Sequence, residues 1–280
     1  MIKRFLKLII SSCLIVIDWL QSKLVGLTGS HLPGKCIVLC YHSVKPEEVE
    51  RFRQQMKIIH LYTDPLPADF AGELQPGKKY VVLTFDDGFQ NVITNALPIL
   101  SEYKIPATLF LVTQYLGSMP NWIVEKDHPD LGERILHIEE LKSINNDLVT
   151  FGSHSVSHPY MTKLSETEAR KELTESKERL KNILRYDIKM FAFPHGDHSK
   201  ILIDLANESG YQRLFTLSYE PAFSKADEFV TGRTDVYMDE SLLEFKLKLL
   251  GAYRWLSFVF RFKKNSIVSN TIRCKLFDRG

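Results

Sequence analysis

Cysteine is scarce in this chain: Cys13, Cys36, Cys40 and Cys274 are the four in 280 residues. They are too few and too scattered for a disulfide framework in a protein of this size. Cys36 and Cys40 lie in "CIVLCYH", a strand-like run in which residues four apart face the same way, so they read as two buried thiols. An excess of one charge is missing as well. Lys and Arg number 36 against 34 Asp and Glu, for a formal net charge of +2, and no lysine or arginine cluster in the central chain offers nucleic acid a basic field. Internal repeats and low-complexity tracts are absent, which sets aside solenoids and disordered arrays. What remains is ordinary globular usage, 44% hydrophobic and 25% charged, with enough chain for one large domain and a full core.

A long uninterrupted apolar run is also missing. In "MIKRFLKLIISSCLIVIDWLQSKLVGLTGS" the charge-free part runs from Leu8 to Ile17, well short of the roughly 20 residues a spanning helix needs. No small-residue cleavage site follows it; the next residues are Asp18-Trp19-Leu20-Gln21. At about 100° per residue, Arg4, Lys7, Ser11, Asp18, Gln21 and Ser22 converge on one side, with the isoleucines, leucines and Trp19 on the other. Residues 1–34 are therefore expected to associate with a membrane as an amphipathic helix lying on its surface, or else to act as a signal anchor. Residues 241–280 are expected to form a basic and aromatic helical extension. There Lys246, Lys248, Arg254, Arg261, Lys263 and Lys264 alternate with Leu249, Leu250, Trp255, Phe258, Phe260 and Phe262, a mix that suits a headgroup layer or a cap on the core. Lys3, Arg4 and Lys7 leave the side of the membrane open.

Between the ends, strand-like runs recur at Cys36–Val44, Tyr80–Phe85, Ala107–Val112, Val149–His154, Ile188–Phe193, Arg213–Leu217 and Phe229–Val236. Helix-like segments at Glu47–Ile59, Phe89–Tyr103, Ile138–Asn145, Ser165–Leu184 and Lys200–Ser209 alternate with them, and Ser165 with Glu168 makes a capping box. The alternation predicts an α/β fold with a mainly parallel sheet, and about seven strands fit a closed or nearly closed (β/α) barrel. The reading is a single catalytic domain, residues 35–240, flanked by amphipathic terminal helices.

In such a barrel, chemistry belongs at the carboxyl ends of the strands. Four titratable clusters fall there: Tyr41-His42, Asp86-Asp87, His154-Ser155-Val156-Ser157-His158 and Pro194-His195-Gly196-Asp197. "TFDDG" closes a core strand with two adjacent carboxylates and a glycine. Successive side chains of a strand end point to opposite sides, so one aspartate can face a metal while its neighbour turns elsewhere in the same mouth. His154 and His158 with one of the two aspartates make a two-histidine, one-carboxylate set that leaves coordination positions open. An open divalent site suits hydrolysis of an amide or ester, with the other carboxylate as general base. The turn after Pro194 is the natural source of a backbone N–H for the oxyanion, and a histidine the preferred acid for the leaving amine. Phe89, Tyr160 and Phe193 lie near enough in sequence to stack on a sugar or to pack the core. His31, His60, His128 and His137 have no comparable company.

"TFDDG" paired with "HSVSH" resembles the polysaccharide deacetylase, or NodB-homology, family of metal-dependent carbohydrate esterases, over roughly Lys35 to Asp239. The resemblance implies a distorted (β/α) barrel, with Asp86 as base and Asp87, His154 and His158 as ligands of a divalent metal, Zn2+ or else Co2+ or Ni2+. Two features depart from the family's pattern. "FAFPHGD" has Ala192 at the usual arginine position and His195 at the usual tyrosine position. The His195 N–H can still serve the oxyanion beside Pro194, and Arg233 in "TGRTDV" is the replacement expected to steady the base. No histidine follows His198, the usual place of the acid. The exopolysaccharide N-deacetylase subgroup carries an equivalent histidine in an N-terminal Tyr-His segment similar to Tyr41-His42, so His42 is the expected acid and His195 the alternative. The implied function is removal of N-acetyl groups from N-acetylhexosamine units of a cell-surface or exported glycan in a bacterial-type cell, at a membrane face, with no nucleic-acid partner. The alternatives are a glycan-binding barrel impaired in catalysis, or hydrolysis of a small non-peptide amide or O-acetyl ester at the same metal site.

Overall fold

The computed structural model describes residues 2–126, 128–144, 147–225 and 228–259. Its strands are β1 (Lys35–Tyr41), β2 (Asp64–Pro65), β3 (Lys79–Phe85), β4 (Ala107–Leu111), β5 (Val149–Ser153), β6 (Met190–Ala192), β7 (Arg213–Leu217) and β8 (Val230–Asp235). Seven of them close a parallel ring in the order β1-β8-β7-β6-β5-β4-β3, with β3 returning to β1. These seven are the strand-like runs of the sequence, and the fold is the expected distorted (β/α) barrel. The distortion has local causes. β2 is two residues long and ends at Pro65, which has no N–H to extend a ladder, so β1 pairs directly with β3 over seven residues, Lys35↔Lys79 to Tyr41↔Phe85. Across the ring, β5 and β6 share a single pair, Ser153↔Phe191. The two loops that follow those strands diverge from this thin seam.

Both faces of the ring are buried, which is why its strands read as continuous apolar runs. Cys36, Val38, Val82, Phe110, Met190, Ala192 and Phe215 fill the interior, while Ile37, Leu39, Tyr41, Val81, Leu83 and Phe85 pack outward in the cluster that the helices cover. Cys36 and Cys40 are both fully buried, as their spacing predicts. The surrounding helices are α1 (Ile2–Gly26), α2 (Val49–Tyr62), α3 (Leu97–Tyr103), α4 (Ile138–Ser143), α5 (Glu166–Leu184), α6 (Lys200–Glu208) and α7 (Leu242–Leu249). In α5 the capping box closes as expected: Glu168 N donates to Ser165 Oγ at 3.3 Å and Ser165 N donates to Glu168 Oε2 at 2.9 Å. The helix expected over 89–103 is shorter, because a π turn at Val92–Ala96 precedes α3. Pro46 starts a 3-10 turn ahead of α2.

The terminal helices differ from the expectation in one respect. The polar side of α1 is turned into the protein. Arg4 Nε donates to Glu244 Oε2 at 2.7 Å, Trp255 Nε1 donates to the buried Ser11 Oγ at 3.1 Å, and Arg254 grips Asp18 with two bonds of 2.6 and 3.0 Å. Within the expected basic and aromatic extension, Lys248 is buried against Glu240, Lys246 lies 3.8 Å from the Tyr62 ring centre and Arg254 is taken by Asp18. These charges hold the protein together. Phe260, Arg261, Phe262, Lys263 and Lys264 lie outside the described residues.

The barrel interior leaves no room at Gly152, where an added Cβ would lie 2.3 Å from the Phe110 ring. Gly152→Ala is expected to destabilise the fold by about 1–3 kcal/mol, the usual cost of overpacking. Urea unfolding monitored by circular dichroism measures it, and an unchanged midpoint would contradict the packing described.

Candidate active site

Asp86 continues the β1–β3 ladder by one residue, its N–H donating to Tyr41 O at 2.9 Å. Following Val82 and Thr84 at a period of two, its side chain enters the barrel. There Arg233 of β8, fully buried, donates to both carboxylate oxygens at 2.6 and 2.7 Å. Arg233 also donates to Thr84 Oγ1 at 3.2 Å and lies over the rings of Phe110 and Phe215. Burial alone would raise the pKa of Asp86. The Arg233 guanidinium outweighs that and holds the carboxyl well below the usual range.

Asp87 is separated from its neighbour by a left-handed turn, not by strand alternation. Its φ is 68° and that of Gly88 is 81°. The second position requires glycine, since a Cβ there would meet Leu111 at 2.5 Å. The turn sets Asp87 Oδ1 at 3.3 Å from His158 Nε2 and 3.7 Å from His154 Nε2. His154 Nδ1 lies 2.7 Å from Ala192 O, so it must carry the proton and Nε2 the lone pair that faces Asp87.

The donor set fits a cation. Burial lowers His154 to about 4 and His158 well below its ordinary value, so both rings are neutral and form no ion pair with Asp87. Burial lifts Asp87 to about 7, and its Oδ1 has no hydrogen-bond partner among the described residues. A buried carboxylate oxygen without a hydrogen bond, facing the His154 lone pair and the neutral His158 ring, is unfavourable by itself and becomes favourable around a divalent ion. Cys40, His42 and Asp86 form a second group of close donor atoms, which fits less well. Burial pushes the Cys40 thiol far up, and both Asp86 oxygens already bind Arg233.

The histidine loop is held from α5. Glu172 accepts from Val156 N at 2.7 Å, Ser157 N at 2.9 Å and Ser157 Oγ at 2.6 Å, and His158 N donates to Ser155 Oγ at 3.0 Å. After β6, Pro194 is buried and opens the next turn. His195 has φ 58°. Its ring stacks on Tyr160 at 4.0 Å and meets His158 edge-on at 4.5 Å. Asp197 accepts from Thr162 N at 2.7 Å, tying this turn to the chain beyond His158. Among the described residues, four of the seven non-glycine residues with positive φ, namely Asp87, Ser155, His158 and His195, stand at this rim, a concentration of backbone strain of the kind found at functional sites.

His42 follows β1 and is half-buried. Burial alone would lower its pKa. The carboxylates of Asp87, Asp86, Asp130 and Asp235 act the other way and leave it raised. Burial among its ring neighbours lowers His195 to about 4, while the residue as a whole is exposed, so a neutral ring is less firmly held there than at the enclosed His154 and His158. The structure thus brings His42, Asp86, Asp87, His154, His158, Pro194, His195 and Arg233 to one mouth.

Several neighbours carried no sequence signal. Asp130, which accepts a hydrogen bond from Ser43 Oγ, comes from an irregular loop. Trp122 stacks on His158 at 4.4 Å, and Asp235 is buried at the end of β8. His128, expected to stand alone, accepts from Asp130 N at 3.1 Å. Phe89 and Phe193 are fully buried and so are core, while Tyr160 is half-buried beside His195.

Residues 73–214 match the family model for polysaccharide deacetylase. The chain belongs to the polysaccharide deacetylase family. Among its relatives, the poly-beta-1,6-N-acetyl-D-glucosamine N-deacetylase of Staphylococcus epidermidis is 28% identical over 159 residues, 54% of this chain and 53% of that protein. The Staphylococcus aureus enzyme of the same name is 26% identical over 160 residues, 56% and 54% of the two chains. The chain thus spans about half the length of these staphylococcal relatives. IcaB from Ammonifex degensii superposes with a TM-score of 0.64 at 23% identity, over 80% of this chain and 100% of that one. The Streptococcus pyogenes deacetylase PplD, solved in complex with acetate, gives 0.63 at 22%, over 78% and 98%. At these identities the likeness shows the fold.

Two measurements test the site. Metal analysis of the purified protein is expected to find about one divalent ion per chain and to find it lost in His154→Ala; undiminished content in that variant would contradict the ligand set. Arg233→Met is expected to cost about 3–5 kcal/mol by leaving a buried carboxylate unpaired. Adding Asp86→Asn to it should then cost much less than the sum of the two single changes. Strict additivity in denaturant titrations would mean that the two side chains do not act as a pair.

Proposed function

We propose that this chain is a metal-dependent hydrolase that removes N-acetyl groups from N-acetylhexosamine units of a cell-surface or exported glycan, working at a membrane face. The carrying observation is the paired arrangement at the mouth. Asp86 is held ionised by Arg233, and beside it Asp87, His154 and His158 converge with an unsatisfied carboxylate oxygen. Family membership and the names of the staphylococcal relatives support the choice of glycan.

Asp87, His154 and His158 would hold the cation, Zn2+ by preference with Co2+ or Ni2+ as alternatives. Such an ion, when bound, polarises the acetyl carbonyl and acidifies an attacking water. Asp86 takes the proton from that water. Of its roughly four acceptor sites, Arg233 uses two and the Cys40 thiol, at 3.4 Å, a third. His195 N–H would donate to the developing oxyanion, since the Gly196 and Asp197 N–H groups are occupied by Phe193 O and Pro194 O. His42, whose carboxylate neighbours favour its charged form, delivers a proton to the departing amine. His195 is the weaker acid candidate, because its lowered pKa leaves it neutral near pH 7.

The arginine lacking at Ala192 bears on the rival reading of a glycan-binding barrel. Ala192 faces the interior of β6, and Arg233 reaches the same interior from β8. The contact to the base is thus made from another strand, which favours turnover over mere binding.

Acetate release from N-acetylglucosamine oligomers, O-acetylated sugars and small amides tests the substrate class. Release from the oligomers is expected, with Asp86→Asn losing at least about a thousandfold in rate while keeping its metal. His42→Ala should lose more than His195→Ala. Full activity in His42→Ala would remove it as the acid, and release from small amides alone would overturn the glycan assignment.

A further inference from the structure

Although charges interrupt its apolar run, α1 as a whole is long and apolar enough to cross a membrane by length and composition, yet it is tied against α7 and the chain that follows it. Arg4, near its start, bonds Glu244 at the start of α7 and the Asp239 carbonyl just beyond β8, at the level of the mouth. Asp18 bonds Arg254 and lies 3.6 Å from Lys35 Nζ, on the first residue of β1 and so at the base of the barrel. Ser11 is buried midway against Trp255. From Arg4 to Asp18 the helix rises about 21 Å, close to the length of a seven-residue strand. Its axis therefore runs beside the barrel axis, from mouth to base.

The opposite side is bare. Leu6, Ile9, Ile10, Val16, Ile17 and Leu20 are 40–56% exposed and Leu24 is 67% exposed. Exposed Cys13 falls at the middle of this stripe. By sequence the helix carries Lys3, Arg4, Lys7 and Lys23 against a single acid, Asp18; Arg4 is offset by Glu244 and Asp18 by Arg254, so its lysines set the balance. An apolar strip flanked by lysines complements an anionic lipid surface. A second copy of the strip would bring like charges together. A spanning orientation would require Arg4, Ser11 and Asp18 to leave the barrel and enter hydrocarbon together.

We infer that α1 lies in the interfacial layer of an anionic bilayer, parallel to the membrane plane. The barrel then rests on its side and its mouth opens along the surface, level with a glycan chain running over it. The inference rests on the membrane-face reading above and adds an orientation to it.

Spin labels at three positions of the exposed stripe test it: Cys13, and single cysteines from Leu6→Cys and Leu24→Cys in a background without the other reactive thiols. The outer two are separated by about 27 Å along the helix, close to the thickness of a hydrocarbon core. With full-length protein on vesicles of phosphatidylglycerol and phosphatidylcholine, all three labels are expected at the same shallow depth. Binding should fall at least tenfold on pure phosphatidylcholine and in the double variant Ile9→Glu with Leu20→Glu. Binding with Cys13 near the bilayer centre and the outer labels at opposite interfaces would overturn the in-plane orientation and leave the membrane-face reading standing. No vesicle binding, or self-association through the stripe in its place, would overturn both.

Discussion

The bidentate contact between Arg233 and Asp86 organises the mouth. A carboxylate inside a barrel lined by Phe110, Phe215 and Val82 would ordinarily take up a proton. Arg233 prevents this, and by occupying both oxygens it also makes Asp86 a poor metal ligand. Asp87, whose Oδ1 has no hydrogen-bond partner among the described residues, is the carboxylate left to hold a cation under the proposed function, and the two adjacent carboxylates differ through their surroundings alone. The guanidinium can be buried at this depth because Asp86, Thr84 and two aromatic faces surround it.

The two loops that complete the site leave the ring at its thinnest seam, between β5 and β6. Few ladder bonds hold them there, and side chains take over. Glu172 anchors the backbone of Val156 and Ser157, and Asp197 bonds Thr162 across the gap. Such charge-assisted bonds to backbone N–H groups are among the stronger ones in proteins, which suits loops whose residues adopt left-handed conformations at Ser155, His158 and His195. The loops of the site are thus anchored by a helix and by neighbouring turns in place of ladder bonds.

Much of this was legible in the sequence. Seven apolar runs gave the ring because a parallel strand buried on both faces cannot alternate with polar residues. That the two aspartates, His154 and His158 share a mouth was readable because strand ends converge there, but which aspartate faces the histidines was implied only by the family resemblance, as was Arg233 in place of the arginine missing at Ala192. Asp130 and Trp122 were not, since they arrive on an irregular loop with no periodicity to place them. The polar side of α1 was visible as a stripe, but a stripe does not say what covers it. Glu244, Trp255 and Arg254, more than 220 residues away, do so.

X-ray absorption at the metal edge of the zinc-loaded protein tests the central claim most directly, because it distinguishes the two donor groups by element. The account predicts a first shell of nitrogen and oxygen with two imidazole signatures and no sulfur. A sulfur scatterer at about 2.3 Å, which would place Cys40 and its neighbours around the ion, would contradict it.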